Sequence, residues 1–430
     1  MANYSYVKTG VDAAENEYNI PIDESVSGII FDIGGVSAKD NVLSNGTLKH
    51  NFSSNTVQKI NNLSEAVSLG ITSGVLNGVP YYHIKEFYKY YGGSKELYVM
   101  FADIYGSDVA DSPFEEMMLQ SEGNVFQVGV WTSNAVLTTD ADGKIIFNDY
   151  LRNINAQLKM LNGTDDSPSG YPSGINAVVS GGLWIDNSPT REVDYRDLPD
   201  CTGVGAERVS LLIGEDSSSA VRNMRKGTVK NVGLTGIATA CMSLCYAEES
   251  IAYVDKFNLN KSDSFAGINI VVGGEEVSID KINEVQTTVL CQKGYVFPLK
   301  CEAREGGLYF SSESTMTDDN FRRISFLRLK HKIKRIMKRA LLPQVNGPIL
   351  LDKNTKKLSD SSITVLNNSL TEALDTYLVN PLSQEQVSTY RISIDNEQDE
   401  LEQDILKIDI SYVTLENQET IDFTESFDTK

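Results

Sequence analysis

The chain has 430 residues, length enough for two or three domains and a sizeable core without disulfides or metals. Hydrophobic residues make up 41% and charged residues 23%, which excludes the depleted composition of a disordered chain. With 38 Lys+Arg against 59 Asp+Glu the formal charge is −21, so the molecule as a whole repels nucleic acid and anionic membranes, and an anionic partner must meet a local basic patch.

Residues 1–20 are polar, with one candidate strand in YSYV, Tyr4 to Val7, that has no hairpin partner nearby. From Ser25 an α/β rhythm begins. SGIIFDI reads as a buried strand, and NNLSEAVSLGI (61–71) as a helix entered at Asn62 or Ser64. VPYYHIKEFYKYYGG is a helix opening at Pro80 and stopped by Gly92 and Gly93, followed by the strand ELYVMFA. The helix-then-strand unit recurs as FEEMMLQ with NVFQVGVW and as DYLRNINAQLKML with INAVVSGG. RVSLLIG and the helix GLTGIATACMSLCYAEESIAYV continue it, and such alternation predicts an open sheet covered by helices. SPTREVDYRDLPDCTGVG is loop-like, and KFNLNKSDSFAG near residue 260 is a polar interval where we expect a boundary.

A second region follows, with the helix SIDKINEVQTTVLCQKG (278–294), strands GYVFPLK and GGLYFSSE, a long basic helix near 320–342, the helix at 361–379 and the strand YRISID. This predicts an α+β layer with its helices on one face. DNEQDELEQD reads as a solvated acidic spacer, and LKIDISYVTL, in which Ile408, Ile410 and Tyr412 alternate with polar neighbours, as a terminal strand before TIDFTESF. The expected organisation is an N-terminal arm (1–22), an outer open α/β domain (23–275), an inner α+β domain (276–400) and a C-terminal arm (401–430).

Motifs for chemistry are sparse. Five cysteines, Cys201, Cys241, Cys245, Cys291 and Cys301, form an odd set that predicts reduced thiols, and the start of the chain carries no secretion-like segment, so we expect cytosolic synthesis. His50, His83 and His331 are too dispersed for a local metal motif. FDIGG at 31–35 resembles half of a sugar-kinase phosphate loop, but a second Asp-Gly loop is missing. Asp103, Asp108 and Asp111 follow a strand where open sheets bind ligands, yet acidic loops are expected in so acidic a chain. We therefore expect no catalytic residue, no metal site and no cofactor; a phosphate-binding or carboxylate-dependent enzyme is the alternative from another class.

FRRISFLRLKHKIKRIMKRALL, 321–342, breaks the charge trend with Arg322, Arg323, Arg328, Lys330, Lys332, Lys334, Arg335, Lys338 and Arg339 and no acid. At 100° per residue Phe326, Leu329, Ile333, Ile336, Met337 and Ala340 share one stripe, and most basic side chains fan across the other face. A solvated face normally mixes signs and this one does not, so three readings compete: a merely solvated charged face, a nucleic-acid or membrane contact, or a contact with an acidic protein.

In their order, IPIDESVSGIIFDIGG, SEAVSLGI, HIKEFYKYYGGSKELYVM, the run from KGYVFPLK to NGPILLD and the terminal strands resemble the sheath subunit of contractile phage tails and related contractile injection systems. The wording is most similar to the shorter sheath proteins of Mu-like tails. The resemblance spans most of the chain, clearest at 60–102 and 285–415, and rests on succession, since no invariant catalytic string defines that family. It implies a structural, non-enzymatic subunit that polymerises as stacked hexameric rings around an inner tube, joins neighbours by exchanged terminal strands and contracts to drive the tube through an envelope. It also implies a virion tail or injection particle assembled in a bacterial host cytoplasm, with baseplate and tail terminator proteins as partners, and neither nucleic acid nor membrane insertion. A different tail or baseplate component is the nearer alternative. On this reading Tyr4, Tyr6, Val7, Ile408, Ile410 and Tyr412 lie on inter-subunit strand arms. The nine basic residues of 322–339 would then meet an acidic inner tube protein.

Overall fold

The computed structural model describes residues 23–32, 55–73, 78–104, 112–161, 175–186, 194–225, 231–260, 268–272, 275–278, 281–282, 284–301, 307–344, 347, 350–353, 357–379, 385–394 and 408–415. Along the first two thirds of the chain the elements are β1 (Ser27–Asp32), β2 (Gln58–Ile60), α1 (Leu63–Ser68), α2 (Gly78–Tyr91), β3 (Leu97–Ala102), α3 (Pro113–Gln120), β4 (Gln127–Thr132), β5 (Leu137–Thr139), β6 (Ile145–Phe147), α4 (Tyr150–Met160), β7 (Asn176–Gly181), β8 (Val209–Leu212), β9 (Glu215–Asp216), α5 (Ser219–Arg225), α6 (Thr235–Leu244), β10 (Ile268–Val272) and β11 (Glu275–Ser278). Then come α7 (Glu284–Gln292), β12 (Pro298–Cys301), β13 (Gly307–Phe310), α8 (Ile324–Leu341), α9 (Asp360–Leu374), a π-turn at Asp375–Val379, β14 (Val387–Ile394) and β15 (Ile408–Thr414).

The main sheet has six strands in the order β2-β3-β1-β4-β7-β8, parallel throughout except for the short edge strand β2. In chain order the parallel strands run 2-1-3-4-5, a doubly wound arrangement with its switch point between β1 and β4. β1, β3, β4 and β7 are buried along their whole length, as parallel strands covered on both faces must be. Two glycines show how closely the layers approach. A Cβ on Gly28 would touch Met117 of α3. One on Gly129, in the adjacent register and so on the opposite face, would collide with Thr239 of α6 at 2.0 Å. The small residues of α6 serve the same close approach on its other side, where a Cβ on Gly236 would lie 2.1 Å from the His83 carbonyl of α2. Asn62 caps α1 through the Glu65 N–H at 3.0 Å, as the sequence predicts, and α6 stops at Leu244 instead of running through IAYV.

The large hydrophobic core runs from Val26 to Ile324. We expected a boundary at 275/276, but residues beyond it are built into this core. Val296 bridges Leu212 in parallel, extending the sheet past β8, and Met316 bridges Ala206. The packing changes only inside α8, where Leu329, Ile333 and Ile336 join Leu374, Leu378 and Val387 in a second, smaller cluster. A third contains Leu341, Leu358, Leu366 and Leu370. β14 and β15 form a two-stranded antiparallel sheet over these clusters.

Candidate assembly surface

The basic helix is where the structure departs most from expectation. Leu329, Ile333 and Ile336 are buried, with Met337 packed against their cluster, so the apolar stripe exists and carries the small unit. The opposite face is buried too. It lies across the N-terminal ends of the parallel strands, and Arg328, Lys332, Arg335 and Lys338 are each at most 5% exposed. Arg328 donates to the carbonyls of Met242 (2.9 Å), Cys245 (3.0 Å) and Tyr246 (2.8 Å) and to Gln127 Oε1 (3.3 Å). It thereby satisfies orphan carbonyls at the C-terminus of α6 and places a cation at the negative end of that helix. Arg335 donates to the Val125 carbonyl at 2.8 Å and stacks on Phe126, its centre 4.1 Å from the ring; burial pulls its pKa down. Lys332 pairs with Glu24 at 2.7 Å, and Gln386 Nε2 donates to the same carboxylate oxygen at 3.3 Å. Arg328, Lys332 and Arg335 are thus internal ties of the single chain, and Lys338 is buried with them, where the sequence predicts an exposed face.

Arg323, the N-cap residue of α8, is also buried, and the helix start is held by Glu313, which accepts from Ser325 N (3.0 Å) and Ser325 Oγ (2.8 Å). Arg322 and Arg339 are exposed, Arg339 over the Tyr377 ring, while Lys330 and Lys334 are half-buried, Lys330 4.0 Å from the centre of the Phe321 ring. The solvent-reaching part of the predicted nine is therefore Arg322, Lys330, Lys334 and Arg339. The interior role of the others has a sequence signal: Arg328, Lys332 and Arg335 fall on one line of the helix, beside Ile324, Leu327 and His331, and a wholly solvated face would lack those three.

The predicted C-terminal arm residues Ile408, Ile410 and Tyr412 lie on β15, which pairs in register with β14 of the same chain, Ile410 opposite Ile392 and Tyr412 opposite Tyr390. These strands are thus not orphans within the subunit. Their inward side chains pack on the small clusters while alternate residues remain exposed. Tyr4, Tyr6 and Val7 lie outside the described residues, as do TIDFTESF, Asp108, Asp111 and His50.

The place where a doubly wound sheet binds ligands, at the carboxyl ends of β1 and β4, is filled with side chains. Asp32 accepts from Ile104 N (3.1 Å), Thr132 Oγ1 (2.9 Å), Asn134 Nδ2 (2.6 Å) and the Tyr150 hydroxyl. Burial, and then the Asp32 charge, push the Tyr150 pKa well up, so the phenol stays a donor. This saturated carboxylate has a packing role in place of the phosphate-loop role that FDIGG evoked. His83 is likewise internal: Nε2 donates to Val232 O at 2.9 Å, Nδ1 accepts from Gly236 N at 3.2 Å, and burial lowers its pKa to about 3. Cys201, Cys241 and Cys245 are buried and Cys291 is exposed. Among the described residues no group of His, Cys, Asp or Glu has metal-binding geometry, and no helix is long and apolar enough to cross a membrane.

No protein-family model matches the chain, and no curated relative is found. Solved structures do match, over essentially the whole chain. The sheath complex of the extracellular contractile injection system PVC, in its contracted state, aligns with a TM-score of 0.56 at 11% identity, covering 100% of this chain and 99% of that one. The contracted helical sheath of the anti-feeding prophage aligns with a TM-score of 0.55 at 13% identity, covering 97% and 99%. A chain of the anti-feeding prophage baseplate aligns with a TM-score of 0.50 at 12% identity, covering 100% and 99%. From its first described strand to its last, this chain has the fold of contractile sheath proteins.

Proposed function

We propose that the chain is the sheath subunit of a contractile tail or injection apparatus, a structural protein without catalysis or cofactor. Subunits stack as hexameric rings around an inner tube, and the polymer contracts to drive that tube through a cell envelope. The observation that carries this reading is the end-to-end match to sheath subunits, in which almost nothing of either chain is left over. The terminal sheet supports it independently. Among the described residues no third strand pairs with β14 or β15, and each such edge is a template for a strand from a neighbour, so β15 and the Tyr4–Val7 segment are the strands exchanged between subunits. Arg322, just before α8, and Arg339, in its last turn, are exposed cations that face the acidic tube. Assembly takes place in the bacterial host cytoplasm, with baseplate and terminator proteins closing the two ends.

Electron microscopy of the purified chain, alone and co-expressed with its tube protein, tests the proposal: striated sheaths are expected, and discrete particles under both conditions would overturn it. The likeness to a baseplate chain favours one second reading, a ring confined to the baseplate end. Antibody labelling of intact particles separates the two, along the whole shaft for a sheath and at one end for a baseplate ring.

A further inference from the structure

The polar residues at the N-terminal edge of the sheet form a row. Ser27 stands opposite Gln127, Gln127 opposite Asn176, and Ala177 opposite Val209, so Asn176 and Arg208 are neighbours across β7 and β8. The first half of this row is satisfied: Gln127 Nε2 donates to Ser27 Oγ at 2.6 Å, Ser27 meets Ser243 Oγ at 2.7 Å, and Arg328 completes Gln127. The second half is not. Among the described residues Arg208 Nε and Nη1, both side-chain polar atoms of Asn176 and Nδ1 of His331 are buried without a hydrogen-bond partner. The Arg208 side chain is only 12% exposed. Its nearest carboxylate, Glu207, is 3.7 Å away and already holds Lys159 at 3.0 Å and Asn155 Nδ2 at 3.2 Å.

A guanidinium with five donors and no acceptor is an unfavourable thing to bury, and its fork matches a carboxylate better than it matches any other protein group. The surroundings add positive charge. His331 is held neutral first by burial and then by the charges of Arg208, Lys334, Lys330 and Arg335, all of which bear on its ring. Burial likewise lowers the Arg208 pKa. On a chain of formal charge −21 this is a concentrated cationic spot, at the side of α8 where two of its lysines still reach solvent.

We infer that Arg208 is a socket for a carboxylate presented by a second copy of this chain, with Lys330 and Lys334 drawing that carboxylate in. The inference rests on the proposed self-assembly. In a polymer of identical acidic subunits, the acidic surface held at highest effective concentration is that of the neighbouring copy. The site thus leaves Arg208 Nε and Nη1 without an acceptor in the free subunit and supplies one in the assembly.

Arg208→Met, which keeps the stem and removes the charge, tests this by two readouts. The free subunit is expected to melt at the wild-type temperature or above, since a buried guanidinium with unsatisfied donors is gone, while the concentration needed for self-association in sedimentation rises about tenfold or more. Arg208→Lys should recover part of the association, and Lys330→Glu with Lys334→Glu should weaken it with Arg208 intact. A lower melting temperature with unchanged association would make Arg208 structural, and unchanged association with any melting temperature overturns the socket. So does stabilisation of wild-type subunit by inorganic phosphate that is lost in Arg208→Met, which would identify a free anion as the occupant. Wild type that associates without forming striated tubes defeats the sheath reading alone, and strictly monomeric wild type defeats both.

Discussion

The large α/β core and the small terminal unit are built on different terms. In the core, β1, β3, β4 and β7 are buried on both faces, flanking helices approach to glycine distance, and polar groups such as Asp32, Gln127 and His83 have internal partners. In the terminal unit β15 alternates between half-buried and exposed residues, and two strands packed on α9 and the shared helix α8 supply little area for independent stability. The difference separates two tasks. The core covers both faces of its sheet, whereas among the described residues the terminal sheet has two strands and one exposed face. Helix α8 belongs to both, its apolar stripe to the small unit and its cationic face to the core, which it ties down through Arg328, Lys332 and Arg335.

The comparison breaks most visibly at Arg328. Arg328→Ala is expected to destabilise the subunit by about 3–5 kcal/mol, because carbonyls of α6 lose their donor in a buried place. Thermal melting checks it, and a wild-type melting temperature would return this residue to the surface role expected from sequence. Gly129→Ala should cost about 1–3 kcal/mol, since the new methyl group meets Thr239 and Thr235. In hydrogen exchange it should loosen β4 and α6 while β14 and β15 keep their wild-type protection.

Glu248 gives a test with a sign. It is 4% exposed, and burial first, then Glu249, raise its pKa from the ordinary 4.5 to about 7, against a lowering by Lys332. The folded chain therefore holds this proton more tightly than the unfolded one, and its contribution to stability is full below about pH 4.5 and falls as pH rises to about 7. Glu248→Gln should match wild type in melting temperature at pH 5 and exceed it at pH 8 by about 1–3 kcal/mol in unfolding free energy. Equal stability at both pH values would place the Glu248 carboxylate in water.

The smallest effect on the fold is expected at the exposed end of α8. Arg339→Glu should change subunit stability by less than about 0.5 kcal/mol while lowering the fraction of tubes covered by extended sheath in micrographs. Lys332→Glu and Arg335→Glu, on the same helix, should instead destabilise the free subunit. Equal behaviour of the three would erase the distinction between the two faces.

The alternating helix and strand units, the cap at Asn62, the span of α8 and its apolar stripe were all legible, because each depends on local periodicity and capping chemistry. So was the family resemblance, which lives in the order of segments. What a helix faces is a different kind of information. Nine basic residues with no acid read as a surface because cations ordinarily seek water, and nothing local reveals that the ends of β1, β4 and α6 converge beneath them. Those ends expose carbonyls and the Glu24 carboxylate, which make the interior there a better place for Arg328 and Lys332 than for leucine. The same holds for Ile408, Ile410 and Tyr412: alternation identifies a strand, but pairing is a long-range choice that an edge elsewhere in the chain decides. Local periodicity and capping chemistry thus determined the elements, while the family resemblance lay in the order of segments. Only the tertiary structure decided which charges became internal ties, since a buried charge is tolerable only where distant segments bring it an acceptor.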